Sequence, residues 1–378
     1  IICLSKLLRI NMAYIDWHKD RGGIALLDRA PESEGINLNA VRRYRQQRVR
    51  CEMVKHGVDA VILSDPINIR YATGTRNMQI FSQRNAPSRY LLITMNRSIL
   101  YEFTGCMHLA DGFDTIDEVR PAITASFVAA GPAISQREHA WAFEMADTIN
   151  GLTGAGATVG LERMNAGASM ALSSTGLRVV DAQLPVELAR SIKSGEEIKC
   201  IKASLRAAEI AVGCLRDAIE PGITENQLWS ILHQSVIAQN GDYCETRLLN
   251  SGARSNPWFQ ETASKVIEKN ELVALDTDVV GCHGYYSDFS RTFHVGPDKP
   301  TPYQRELYRT AYEQVYHNME ILKPGLSFKE YSDKAWNIPE KYYDNRYYLS
   351  SHGVGMTGEY PYLYHHADYQ QAGYDGII

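Results

Sequence analysis

Three aspartates stand close together in the stretch Leu272–Phe293 (LVALDTDVVGCHGYYSDFSRTF). Leu272–Asp276 reads as an apolar strand carrying acids, and Tyr285–His294 as its partner. Asp276 and Asp278 are two apart, so on one strand both carboxylates point to the same face. Asp288 follows the Gly281–Gly284 turn and can fold back opposite them. Three carboxylates converging at the end of an apolar strand repel one another unless a cation neutralises them, which argues for a metal. The same spacing also suits a hairpin with its acids on the solvent face.

A second cluster is His352-Gly353-Val354-Gly355, read as a Gly-rich turn after Tyr347-Tyr348-Leu349. A lone histidine is more often structural than a ligand. Glycines beside it let the backbone approach closely and leave one imidazole nitrogen free. Nine tyrosines fall between Tyr342 and Tyr374, and Trp258, Tyr285 and Tyr286 flank the acids. Most of these aromatics belong to a core, with two or three left to line a site.

The elements that must carry these groups are legible in outline. Leu38–His56 reads as a basic helix, with Val41, Tyr44, Val49 and Met53 near helical spacing and Gly57 just past its end. Ala60–Leu63 is a short buried strand followed by the turn signal Ser64-Asp65-Pro66. Tyr90–Ile93, Ser98–Tyr101 and Thr158–Glu162 are further strands, and Gln136–Leu152 is a helix. This alternation makes residues 36–185 an α/β domain of mixed connectivity. The Gly154–Gly160 stretch precedes its strand instead of following one, the wrong order for a dinucleotide site, and reads as a plain loop. Leu184-Pro185 marks the domain boundary. Ser194 with Glu197 forms a capping box that opens a helix from Gly195 to about Ile219, with Ile198, Ile201, Leu205, Ala208 and Val212 on one face. Pro221-Gly222 stops it, and Thr224–Gln227 opens the next helix.

The chain has 378 residues, a length for two or three domains, and is 44% hydrophobic and 22% charged, the balance of a soluble globular protein. Collagen, coiled coil, a disordered tail and a disulfide miniprotein are excluded. The longest apolar run, Pro121–Ser135, is broken by Gly131 and Pro132 and is too short for a membrane helix. A net charge of −5 without a Lys/Arg block argues against nucleic acid. Seven scattered cysteines with no CxxC pair read as reduced thiols in a cytoplasmic protein. Ile1–Arg9 is too short and too interrupted for a signal peptide. Met12 is a candidate start, residues 1–35 a leader, and the apolar end Gly376-Ile377-Ile378 is expected to belong to a longer chain.

Taken in order, the capped helix, Pro221-Gly222-x-Thr224-Glu225, the aspartate pair and the HGVG segment resemble the creatinase/prolidase/methionine aminopeptidase superfamily. Asn68–Gly74 (NIRYATG) resembles its creatinase-like N-terminal domain. The resemblance covers roughly residues 36–378. It implies an α/β (α+β) fold, with a creatinase-like N-terminal domain over 36–185 and a "pita-bread" catalytic domain over 186–378. It also implies two divalent metal ions held by Asp, Asp, His, Glu and Glu. Asp276, Asp288 and His352 match the first three, with the extra Asp278 as a further candidate. Both Glu ligands would lie beyond Ile378, so the catalytic domain is expected to be incomplete and the chain as given inactive.

Three departures argue against an ordinary peptidase. Asp276 and Asp288 are twelve apart, one more than is usual, with Asp278 between them. Where peptidases place a substrate-contacting His before the first strand, this chain has Trp258-Phe259-Gln260. Where they place another His seven residues after the metal His, it has Glu359. The strings Arg70–Phe81 (RYATGTRNMQIF), Asp276-x-Asp278 and His352-Gly-Val-Gly followed by Glu359-Tyr-Pro361 resemble the DddP-type dimethylsulfoniopropionate lyases. That resemblance implies β-elimination to dimethyl sulfide and acrylate on a metal, iron foremost, with zinc, manganese or cobalt as alternatives. It implies an aromatic wall for the sulfonium, with candidates Trp258, Tyr285, Tyr286, Tyr347 and Tyr360. The pattern also has an Asp base six residues after the metal His, where this chain has Gly358. Glu359 is the expected substitute and Asp278 a weaker one. A homodimer contact through Arg76–Phe81 is implied as well, with neither nucleic acid nor membrane as partner. The competing readings are an Xaa-Pro dipeptidase, a metal-free creatinase-like hydrolase, a binding module and an inactive fragment.

Overall fold

The computed structural model describes residues 35–76 and 88–378. The leader, Gly35 apart, and the expected dimer segment past Arg76 lie outside the described residues. The chain divides into two compact units, Asn37–Glu196 and a second that runs from Glu197 to Ile378.

In the first unit, helix α1 (Leu38–Lys55) is capped by Asn37, whose side chain accepts the Ala40 N–H. Its buried stripe includes Val41, Arg45, Val49 and Met53, so Arg45 takes the place expected for Tyr44. The Arg45 guanidinium is kept in place by a bond to the Arg70 carbonyl and by the Tyr71 ring, 5.4 Å away. Strand β1 (Ala60–Leu63) follows. Ser64-Asp65-Pro66 does not end in a loop: Asp65 caps α2 (Pro66–Thr73), with Pro66 in the first turn, where its missing N–H is harmless. The longer elements that follow are β2 (Tyr90–Thr94), β3 (Ser98–Glu102), β4 (Glu118–Pro121), α3 (Ile134–Thr153), β5 (Thr158–Leu161), α4 (Ala166–Ser173), β6 (Arg178–Asp181) and α5 (Gln183–Ser191). The sheet order is β4-β3-β2-β1-β5-β6. β1, β2 and β3 pair antiparallel, while β3–β4, β1–β5 and β5–β6 are parallel. Trp141, Met145 and Ile149 of α3 share a core with Tyr90 of β2 and Tyr101 of β3 on one face of this sheet. Leu184-Pro185 lies inside α5, where proline in the first turn is tolerated, and the two compact units meet between Glu196 and Glu197.

The second unit is led by α6 (Gly195–Asp217) and α7 (Glu225–Ala238), the latter opened by a Thr224/Gln227 capping box. The buried stripe of α6 is rotated from the expected one: Ile198 is exposed, and Cys200, Ala203, Ser204, Ala207, Ala208 and Ala211 are buried. Small side chains there allow close approach, and Gly281 lies against Ser204. Strands β7 (Tyr243–Cys244), β8 (Leu248–Ser251), β9 (Leu272–Thr277), β10 (Val279–Val280) and β11 (Phe289–His294) form a three-stranded sheet, β11-β9-β8, and a short β10-β7 pair. Leu228, Leu232, Leu249, Val273 and Leu275 share their core with α6. Helix α8 (Pro302–Ile321), α9 (Phe328–Lys334), the hairpin β12 (Leu349–Val354) and β13 (Gly358–Tyr364), and α10 (His366–Ala372) complete the unit. Among the described residues no helix is long and apolar enough to cross a membrane.

Candidate active site

The acidic stretch is not one continuous strand. β9 pairs with β8 up to Asp276↔Leu248, and β10 pairs with β7 from Val279↔Cys244. Between those pairs residues 245–247 oppose only 277 and 278, a bulge of the kind that re-aims side chains beside active sites. Thr246 fastens it, since its hydroxyl accepts the Asp278 N–H at 2.9 Å and donates to the Asp278 carboxylate at 3.0 Å. Asp276 and Asp278 nonetheless line one cavity, as the period of two requires.

The partner strand begins later than expected, at Phe289. Residues 285–288 form an irregular approach, and Asp288 has a left-handed backbone (φ +38°), strain that is concentrated at functional sites. His352–Val354 is strand rather than turn, and only Gly355 belongs to the turn that follows: His352 is in β12 and pairs with Tyr362 of β13. The Tyr286 N–H donates to the Gly355 carbonyl at 2.7 Å, tying the hairpin to the acidic segment.

His352 Nε2 lies 3.0 Å from Asp288 Oδ2, and its Nδ1 contacts the Gly353 carbonyl at 2.9 Å, so neither ring nitrogen is free as the sequence suggested. The Asp288 hydrogen bond pushes the imidazole up to about 9 against the opposing effect of burial. Asp276 accepts the Ser290 hydroxyl at 2.6 Å. Burial raises its carboxyl and the charge of Asp288 adds to the effect, while Ser290 and His352 oppose. Burial, with Asp288 next, raises Asp278 to about 7.

These groups open into a cavity of about 820 Å³. Its aromatic side holds Trp258, Phe259, Tyr286, Tyr347 and Tyr362. Trp258 packs at a tilt within 4.7 Å of both Phe259 and Tyr347, ring centre to ring centre, and Tyr362 lies edge-on to His352 at 5.9 Å. Arg346, whose guanidinium pairs with Asp368, is also in the lining, as is Glu245. Phe259, Tyr362 and Arg346 were not singled out from the sequence. The Trp258 neighbourhood and the tyrosine-rich C-terminal stretch were the available signals, and only folding shows which rings turn inward.

Three expected site residues face elsewhere. Tyr285 is buried and donates to the Glu197 carboxylate at 2.8 Å. Tyr360 sits in the bulge between Glu359 and Tyr362, which turns its ring toward Phe328 and Tyr374. Glu359, the expected base, is 3% exposed and lies outside the cavity lining. Strand alternation turns Gly358 and Tyr362 toward the cavity, and Glu359 and Leu363 away from it. The Glu359 carboxylate accepts the Met356 N–H at 2.8 Å and packs under Gly355, where any side chain would collide with it. Gly358 is the opposite case: a Cβ there would meet nothing nearer than His352 Cε1 at 3.9 Å.

The chemistry of this donor set suits a divalent cation: three carboxylates, two of them raised in pKa, face one cavity with an imidazole. Among the described residues no group of three or more His, Cys, Asp or Glu closes on a single ion position. Asp288 and His352 are turned onto each other, and a metal held by both would have to displace the proton that joins them.

Comparison with known proteins accords with this arrangement. The metallopeptidase family M24 model matches residues 199–375, and the creatinase/prolidase N-terminal domain model matches 45–192. The dimethylsulfoniopropionate lyase DddP of Roseobacter denitrificans is 30% identical over 368 residues, covering 96% of this chain and 80% of its own. The chain is a DddP-type member of metallopeptidase family M24. An Xaa-Pro dipeptidase of Pyrococcus furiosus is 32% identical over 171 residues, covering 44% of this chain and 48% of its own. The structure of an Xaa-Pro dipeptidase from Bacillus anthracis superposes with a TM-score of 0.67 at 22% identity, over 85% of this chain and 84% of that one. The DddP-type chain therefore has the expected mixed α/β fold, a creatinase-type N-terminal domain with a pita-bread domain. Membership makes it an enzyme of the lyase or peptidase-like hydrolase kind and implies divalent metal ions without specifying which.

Proposed function

We propose that the protein is a metal-dependent carbon–sulfur lyase that converts dimethylsulfoniopropionate to dimethyl sulfide and acrylate. The observation that carries this reading is one cavity with a carboxylate cluster and the packed rings of Trp258, Phe259 and Tyr347. A sulfonium cation is attracted to aromatic faces, and the substrate's carboxylate belongs at the other end. Asp276, Asp288 and His352 are the residues that would hold two divalent ions, iron foremost. Bound metal supplies Lewis acidity toward the carboxylate and the charge that develops beside it.

Asp278 takes the role first given to Glu359. Its carboxylate faces the cavity beside Asp276 and is fixed there by the Thr246 hydroxyl, the placement a proton-abstracting base needs. The proton on C2 passes to Asp278, the C2–C3 double bond forms, and the C3–S pair leaves with sulfur as dimethyl sulfide. Asp278 then returns its proton to water. A homodimer, implied by the resemblance, belongs to the same reading and is measured by light scattering.

The test is headspace detection of dimethyl sulfide from metal-loaded protein, with an Xaa-Pro dipeptide assayed in parallel. Metal-dependent dimethyl sulfide that Asp288→Ala abolishes supports the lyase. Dipeptide cleavage without dimethyl sulfide would replace it with the hydrolase.

A further inference from the structure

We infer that Gly358 makes the site tolerant of substrates branched at the carbon next to the carboxylate, an inference that rests on the lyase reading. Gly358 opens β13 in the cavity wall, and a Cβ there would touch only His352 Cε1, at 3.9 Å, an ordinary van der Waals contact. His352 pairs with Asp288, so this free space lies at the acidic end of the cavity and not at the Trp258 rings. The substrate class that fits is a 3-dimethylsulfoniopropanoate carrying a small alkyl group on C2. The chemistry balances as before: the remaining C2 proton goes to Asp278, the C3–S bond breaks, and 2-methyl substrate yields methacrylate and dimethyl sulfide.

Position 358 lies in a strand and outside the left-handed backbone region, so Gly358→Ala and Gly358→Val are compatible with the fold. The experiment compares kcat/KM for dimethylsulfoniopropionate and 3-dimethylsulfonio-2-methylpropanoate in the natural protein and both variants, with thermal melts as a folding check. The expected result is that the natural protein handles both substrates within about tenfold, one branch methyl being worth roughly that much in a filled pocket. The branched-to-unbranched ratio should fall about tenfold or more in Gly358→Val and by less in Gly358→Ala. An unchanged ratio in Gly358→Val overturns the inference. Calorimetric binding of the uncleavable trimethylammonium counterparts is measured alongside. Size-selective binding without cleavage sinks the lyase reading alone, whereas cleavage of the parent with strict rejection of the branched form by the natural protein sinks only the role of Gly358.

Discussion

His352 and Asp288 face each other with Nε2 and Oδ2 3.0 Å apart, bringing β12 and the approach to β11 together at one point of the cavity. A metal ligand must be a neutral imidazole, whereas here the partner carboxylate holds the ring protonated up to about pH 9.

Metal uptake should therefore release a proton. Below about pH 9 the apparent affinity should climb with pH, by about tenfold per unit if one proton is displaced per ion. Calorimetric titration of iron(II) or zinc in buffers of different ionisation heat measures the protons directly. Uptake without proton release would show that His352 is not a ligand.

Gly358→Asp places a carboxylate on the cavity-facing side of β13, opposite His352. If the proton transfer limits turnover, this variant should make dimethyl sulfide at least about tenfold faster, since a positioned general base contributes ~100-fold or more. Headspace gas chromatography at matched metal loading decides it. Unchanged turnover would leave Asp278 sufficient as the base.

Glu359 is expected to matter for folding and not for chemistry. Glu359→Ala leaves the Met356 N–H without its buried acceptor and should cost about 1–3 kcal/mol in urea unfolding. Glu359→Gln keeps an acceptor oxygen and should retain most turnover. A Gln variant that melts normally and is dead would return Glu359 to the reaction.

In the first unit Glu162 accepts N–H groups of Ser64 and Asp65, each at 2.7 Å, and the Asn68 amide. Burial nonetheless raises its carboxyl from 4.5 to about 7. The folded state therefore holds this proton more tightly than the unfolded chain. Its contribution is complete below pH 4.5 and is lost as pH rises to about 7, on the order of 3 kcal/mol in total. Glu162→Gln should flatten that part of the stability–pH curve in chemical denaturation. An unchanged curve would place the titration elsewhere.

Much of this was legible in the sequence because local pattern and fold agree. The Thr224 cap, the apolar run Ala60–Leu63 and the acids of Leu272–Phe293 all act where their spacing says they should. What misled was information that local pattern does not carry. The bulge at 245–247 takes Asp278 off the end of β9 without turning it from the cavity. A second bulge in β13 sends Tyr360 into a different cluster. Adjacent Gly358 and Glu359 differ only in which face of one strand they occupy, and that parity is set by pairing with β12. Arg45 inside α1 and the alanine stripe of α6 likewise depend on what packs against each helix, not on its own periodicity.

Trp258 is half exposed and packed between Phe259 and Tyr347, while Trp141 and Trp229 are enclosed in the two cores. The cavity thus carries its own optical reporter. Any cation that enters between these rings changes the solvation of the one indole that the described residues place in the cavity lining, so occupancy can be followed as a change in emission over the background of the other tryptophans, without a label and without turnover.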